Sequence, residues 1–294
     1  NQAAERSSSA AAGLVSSRNE RNNRQSKRNG SADRSDQRKD FGGKDFLYAL
    51  ISICEFERKD NYVYSVNNSK KINNELHALV RLGYNPDFCT EIPVPIDIAG
   101  AVKFPNQAQF NPLQFLSHMS KDLTIYENTK VIEIRGNKAI TENSEITADY
   151  FIVTTHFPFM NKYGGYFIKL YQERSYVLAI QNGPQINGMY VDEDKKGLSF
   201  RSYGDLLLLG GGSHRTGKKG GNWRELEELA RKYYPSARVV SKWATQDCMT
   251  LDGVPYIGPY GKNTKGLWVA TGFNKWGMTS AMVAAKLLRD GVQG

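Results

Sequence analysis

This sequence predicts an α/β chain of mixed α+β character, in which an antiparallel-sheet domain is interleaved with a parallel-sheet, nucleotide-type domain. Three stretches carry the expectation. "VATGFNKWGMTSAMVAAKLL" (269–288) runs strand end, glycine-bounded loop and helix in succession. "FIV" (151–153) is an unbroken apolar run closed by Thr154 and Thr155, which suits a strand buried on both faces of a parallel sheet. "YFIKLYQERSYVLAIQ" and "GMYVDEDKKGLSFRSYGDLLLLGGG", within 166–212, read as long strands joined by tight turns, an antiparallel meander.

The elements follow in order from Cys54. "CEFERKDNYVYSV" alternates Tyr62, Tyr64 and Val66 with polar residues, the period of a strand. "SKKINNELHALVRLG" is a helix with one apolar stripe (Ile72, Leu76, Leu79, Val80) and Gly83 placed to end it. His77 lies on that helix without a second ligand at metal spacing, so no metal site is expected. The proline-rich "EIPVPIDIAGAVKFPNQAQFNP" is extended, and "PLQFLSHMSKD" is a short helix with Pro112 in its first turn. "LTIYENT", "KVIEIRG", "NKAITENS" and "EITADYFIVTTHFP" form a compact series of strands. "NWRELEELARKYYP" is a helix stopped by Pro235, and "VVSKWATQDCMTLDGVPYIGP" returns the chain to the final strand, loop and helix.

Composition narrows the class. No apolar run approaches the roughly 18–20 residues of a membrane span. The three cysteines are odd in number and widely spaced, which points to a reducing, cytoplasmic setting and away from disulfides or a metal site. Of the net charge of +9, the first 40 residues hold +4 and the other 254 hold +5, so the basic signal is densest in that segment. That segment has no aromatic residue, and Leu14 and Val15 are its only large apolar side chains. It buries too little to offset its ordering entropy and is read as disordered or non-native over 1–52. A nucleic-acid-binding arm is an alternative reading, disfavoured because no aromatics interleave its charges for base stacking. An inert tail is another.

The loop after 271 has a physical logic of its own. Gly272 lets the chain leave the strand, and Gly277 lets a ligand approach where a Cβ would clash. Thr279 and Ser280 are placed to cap the new helix, Ala281, Ala284 and Ala285 to pack it on its sheet, and Gly291 to end it. Free N–H groups at a helix start carry about half a positive charge and favour an anion or a ring that becomes anionic. A pair of packing glycines at a strand–helix junction reads equally well from these residues alone.

The stretches "WATQDCMTLDGVPYIG" (243–258), "GLWVATGFNKWGMT" (266–279) and "VIEI…ITADYFIVTT" (131–155) together resemble the D-amino-acid-oxidase-like family of FAD-dependent oxidoreductases, which includes glycine oxidase. The resemblance covers 54–294 and is nearest a bacterial subgroup whose members often carry a Rieske iron–sulfur domain. It implies an FAD-binding Rossmann-like domain over 109–156 and 246–294 and a substrate domain over 53–108 and 157–245. It implies an amine or amino-acid-like substrate oxidised by hydride transfer to flavin, with no required protein acid or base. It assigns Gly272, Asn274, Lys275, Trp276, Gly277, Met278 and Thr279 to the flavin's pyrimidine edge and ribityl chain. Val131 matches the adenine contact, Thr154 and Thr155 the strand end beside the pyrophosphate, and Asp252 and Gly253 the corner leading to the isoalloxazine. Simple strand-end capping explains Thr154, Thr155 and Asp252 equally. The substrate side falls to Arg201, His214 and Arg215, where an arginine could pair two-pronged with a carboxylate; a surface role for each is the alternative.

One departure stands out. The family opens with a G-x-G-x-x-G fingerprint that cradles the FAD pyrophosphate. Here Gly13, Gly30, Gly42 and Gly43 are the only glycines before residue 80, and none has that spacing. The expectation is therefore a fragment of a longer flavoprotein that retains FAD weakly, with residues 1–52 outside the native reading frame. A non-catalytic remnant or interaction protein is the competing expectation.

Overall fold

The computed structural model describes residues 53–194 and 197–294. The expectations for residues 1–52, including the basic arm, lie outside them.

The largest element is an eight-stranded sheet in the order β12-β8-β11-β10-β9-β1-β3-β2. Its strands are β1 (Glu57–Ser65), β2 (Asp87–Cys89), β3 (Gly100–Gln109), β8 (Leu170–Gln181), β9 (Met189–Asp192), β10 (Ser199–Tyr203), β11 (Leu206–Arg215) and β12 (Arg238–Thr250). Every neighbour is antiparallel except β1 and β9, which run parallel from Asn61↔Met189 to Tyr64↔Asp192. Strand alternation divides the faces. Leu178, Ile180, Leu207, Leu209, Phe200 and Tyr190 point to one side and are at most 3% exposed. They pack with Leu226 and Ala230 of helix α4 (Trp223–Tyr233). Burying each large apolar side chain contributes about 1.5–3 kcal/mol. Across β8, β9, β10 and β11 the opposite face carries Val177, Met189, Arg201 and Leu208, none of them fully buried.

Helix α1 (Ser69–Arg81) covers the β1–β3 end through Ile72 and Leu79, with Asn68 accepting from the Lys71 N–H as its cap. Gly83 follows it at φ +83°, the left-handed position the sequence assigned. Lys71 reaches β9's end, donating to the Glu193 carbonyl at 2.8 Å. There the Asp192 carboxylate accepts from the Asp194 N–H, and burial pushes its pKa up to about 6.

The second layer is a three-stranded sheet, β13-β14-β7, from β7 (Phe151–Val153), β13 (Tyr256–Pro259) and β14 (Leu267–Thr271). Strands β14 and β7 are parallel, and helix α5 (Gly277–Gln293) packs on β14 through Ala284 and Leu288. A meander of β4 (Val131–Arg135), β5 (Lys138–Thr141) and β6 (Glu145–Thr147) lies beside it, and helix α2 (Pro112–Met119) precedes it with Pro112 at its start. Among the described residues no helix is long and apolar enough to cross a membrane.

Several local expectations need correction. Residues 123–129 form no strand; "LTIYENT" leaves Leu123, Ile125 and Tyr126 exposed, with no partner strand for their backbone. Residues 166–169 form helix α3 (Tyr166–Lys169), begun by Gly165 at φ +60°, so the long strand starts only at Leu170. Ile152 is 38% exposed, so β7 is not buried on both faces among the described residues. Gly291 does not end α5: the helix continues to Gln293, and a Cβ at Gly291 would come within 2.8 Å of the Trp268 ring. Its glycine allows close helix–sheet approach.

Candidate functional site

The site is assembled where β12, β14 and the α5 N-terminus converge. Thr271, at the end of β14, donates through its hydroxyl to the His156 carbonyl and so fixes the exit of β7 beside β14. Gly272 then turns at φ +71°, where any Cβ would collide with Thr250. Asn274 follows in the left-handed region at φ 53° and is held from three sides. Its N–H donates to the Cys248 carbonyl at 3.0 Å, its Oδ1 accepts from the Thr250 N–H at 3.0 Å, and its Nδ2 donates to the Gly253 carbonyl at 3.2 Å. The loop from the last strand and the corner after β12 are thereby one rigid unit, which brings Asp252 and Gly253 beside Asn274.

Helix α5 starts without a side-chain cap. Trp276 is its N-cap residue and supplies none, and the first turn holds no acidic side chain. Thr279 and Ser280 therefore do not cap the helix; they lie inside its first turn, because Gly277 already has helical geometry. The first N–H groups of a helix have no intrahelical acceptor, and at the start of this 17-residue helix a Cβ built at Gly277 meets nothing within 4 Å. Trp276 and Met278 are exposed around them. Gly253, at φ +76°, likewise has open space where its Cβ would be. Asp252 is engaged locally, accepting from the Val254 N–H and the Tyr256 hydroxyl, and these bonds hold its carboxyl below the usual range.

Behind this turn, a cavity of about 660 Å³ lies between β7, α5 and the β4 meander. Val131, Thr154, Thr155, Phe273, Ala281 and Ala285 line part of it, so three residues matched by resemblance to the adenosine and pyrophosphate end do share one pocket. Thr155 donates to the Phe157 carbonyl at 3.0 Å, a strand-end cap that the sequence left open as an alternative.

The donor set fits a flavin. An uncapped long helix start, free of carboxylates, offers dipole stabilisation to a ring that gains negative charge on reduction, and the glycines flanking it leave room for a planar ring system.

The substrate-side candidates separate. Ser213, near the end of β11, shares hydrogen bonds with Ser175 at 2.9 Å and with the Lys275 ammonium at 3.0 Å, so it belongs to the α5 side of the sheet. His214, one residue on, turns to the opposite face. Its ring stacks on Tyr176 with centroids 5.9 Å apart, its Nε2 is 3.1 Å from the Tyr176 hydroxyl, and its Nδ1 is 3.1 Å from the Arg215 carbonyl. Tyr176 belongs to the core under α4. Arg215 lies over the Tyr171 ring at 5.1 Å and is exposed. Arg201 shares the open face with Lys275 but sits on the Leu208–Ala179 row, six residues along β8 from Glu173, about 20 Å away. Its side chain is exposed, and the protein around its head group lowers its pKa by desolvation.

Two residues outside the sequence candidates complete the site. Glu173, on β8, pairs with Lys275 at 3.3 Å. Asp247, on β12 directly opposite Glu173 in register, is half-buried, and desolvation raises its pKa against the opposing pull of Lys275 and His156. A carboxylate inside the motif stretch 243–258 is visible in the sequence, but its pairing with Glu173 depends on sheet register.

Comparison with known proteins places this geometry. The sequence model of the DAO family, described as FAD dependent oxidoreductase, matches residues 1–290, beyond the 54–294 span of the motif resemblance. Glycine oxidase from Bacillus cereus ATCC 14579 superposes with a TM-score of 0.68 at 20% identity, covering 97% of this chain and 84% of that one. L-proline dehydrogenase from P. horikoshii gives 0.65 at 15% identity, covering 84% and 76%. A Bacillus subtilis (strain 168) protein, provisionally named a Rieske 2Fe-2S iron–sulfur protein, is 36% identical over 261 residues, 82% of this chain and 51% of that protein. The chain thus spans about half the length of that curated relative.

Proposed function

This chain belongs to the DAO family of FAD-dependent oxidoreductases, and from that premise we propose that it oxidises an amine or amino-acid-like substrate by hydride transfer to the flavin, as the flavin-closing part of a longer protein. The observation that carries the reading is the α5 start, uncapped and free of acidic side chains, locked by Asn274 to the Thr250–Gly253 corner.

FAD bound here supplies the two-electron acceptor. The chain's own residues do the positioning. The Gly277–Thr279 N–H groups would hold the flavin's pyrimidine edge, Asn274 fixes the loop that carries them, and Gly253, with open space where its Cβ would be, would leave room for the ring. Val131, Thr154 and Thr155 border the cavity toward the adenosine end. The open face of the eight-stranded sheet would take the substrate. A Rieske iron–sulfur domain as electron partner is part of the reading, supported by the name of the Bacillus subtilis relative and by the half of it this chain does not span.

The test is the absorbance spectrum of the purified protein before and after incubation with FAD and desalting. A flavin band gained on incubation, and bleached anaerobically by an amine, supports the reading. A chain that never acquires the band at millimolar FAD sinks it.

A further inference from the structure

We infer that Asp247 selects the substrate's charge, so that this site takes a cationic amine and disfavours a carboxylate-bearing amino acid. The inference rests on the flavoenzyme reading above and narrows its substrate class.

Opposed charges gather where the sheet's open face meets the loop before α5. Glu173, Asp247, Lys275, His156 and Arg215, which stands opposite Glu173 in register, are the titratable groups placed there. The Lys275 ammonium is engaged twice, by Glu173 at 3.3 Å and by the Ser213 hydroxyl at 3.0 Å. It lies beyond ion-pair distance from Asp247. No hydrogen bond from a described residue reaches the Asp247 carboxylate, although it is half-buried. A partly desolvated carboxylate without a partner is costly, and a ligand ammonium that supplies one gains the energy of a charge-assisted hydrogen bond.

A ligand carboxylate meets the reverse. It would sit against two carboxylates, with Lys275 committed to Glu173 and Arg215 drawn beside Glu173 onto Tyr171, and like charges brought together cost several kcal/mol. Recognition of a carboxylate in a fixed orientation calls for a guanidinium fork. The nearby arginine that could supply one, Arg215, is turned onto Tyr171. Arg201 is about 20 Å along the strands, and an α-amino acid, with both charges on one carbon, cannot reach Asp247 and Arg201 together. Between them the open face offers Val177 and Leu208, an apolar floor for a hydrocarbon group.

The experiment uses two ligands of one shape and opposite charge, cyclohexylammonium and cyclohexanecarboxylate, titrated calorimetrically into the full chain with and without added FAD. Wild type should bind the ammonium at least tenfold more tightly. Asp247→Asn, isosteric and uncharged, should bring the two affinities within about threefold. Glu173→Gln, which releases Lys275, should raise carboxylate affinity severalfold. Equal binding, a preference for the carboxylate, binding of neither, or a preference that survives Asp247→Asn overturns the inference. FAD uptake, read by absorbance in the same samples, separates the two readings. Discrimination without FAD uptake removes the flavoenzyme reading alone, and FAD uptake without discrimination removes this one alone.

Discussion

The eight-stranded sheet and the layer built by β7, β14 and α5 bury their apolar residues to different degrees. In the large sheet one face is sealed: Leu178, Ile180 and Leu207 have no exposure at all. In the smaller layer Ala284 and Leu288 are buried, yet Met282, Val283 and Leu287 on the same helix are about half exposed, and a cavity of about 660 Å³ opens between helix and strand. Among the described residues β7 pairs with β14 alone. The difference teaches where stability and ligand response reside. The large sheet seals one face, whereas the smaller layer has less packing to lose and would gain more from a bound ligand.

Substitutions can break this contrast or sharpen it. The largest effect is expected from Leu178→Ala, which empties the sealed face and should cost about 2–5 kcal/mol in denaturant unfolding. Next is Gly291→Leu, whose side chain would strike the Trp268 ring; overpacking at that junction should cost about 1–3 kcal/mol and weaken FAD uptake in the absorbance assay. Asn274→Ala leaves the Thr250 N–H and Gly253 carbonyl without their partner. It should cost about 1–2 kcal/mol and, more tellingly, reduce FAD uptake while leaving the far-ultraviolet circular dichroism of the large sheet unchanged. If Asn274→Ala unfolds the whole chain, the two layers are not separable.

The smallest effect concerns pH. The Asp192 pKa is raised in the folded state to about 6, so its protonated form favours folding. The folded chain binds the proton more tightly than the unfolded one. That contribution is complete below the unfolded carboxylate value, near 4, and is lost as pH rises through about 6. Asp192→Asn, which keeps the acceptor for the Asp194 N–H, should therefore match wild type at pH 4 and exceed it by about 1 kcal/mol at pH 7 in urea titrations, the roughly 2.7 kcal/mol of a full two-unit shift being reduced by solvent screening at this partly exposed group. A variant less stable at pH 7 would mean that the carboxylate serves the Lys71 end of the sheet as an anion.

Much of the fold was legible locally. The stripe Ile72, Leu76, Leu79 announced a helix, and the alternation Tyr62, Tyr64 a strand, because each pattern is written within one element. The junction from Gly272 to Gly277 was legible for the same reason. What escaped was nonlocal. The β1–β9 pairing joins segments more than a hundred residues apart, and the Lys275–Ser213 contact spans 62 residues. Asp247 gains its significance only when sheet register sets it opposite Glu173 and folding of the last loop brings Lys275 near both. His214 was misleading because a bulge between Gly211 and His214 changes which face each side chain takes.

The parallel seam has a consequence for synthesis. Strands β1, β3 and β2, with α1, can assemble as soon as residue 109 is available, but the β1 edge has no partner until β9 arrives at 189–192. At about 5–20 residues per second, roughly 80 residues of waiting leaves that edge, with Tyr62 and Tyr64, open for about 4–16 s on each chain. During that interval the nascent protein carries an unpaired strand that a neighbouring chain could extend, so yield at high expression should improve when a holding chaperone is supplied.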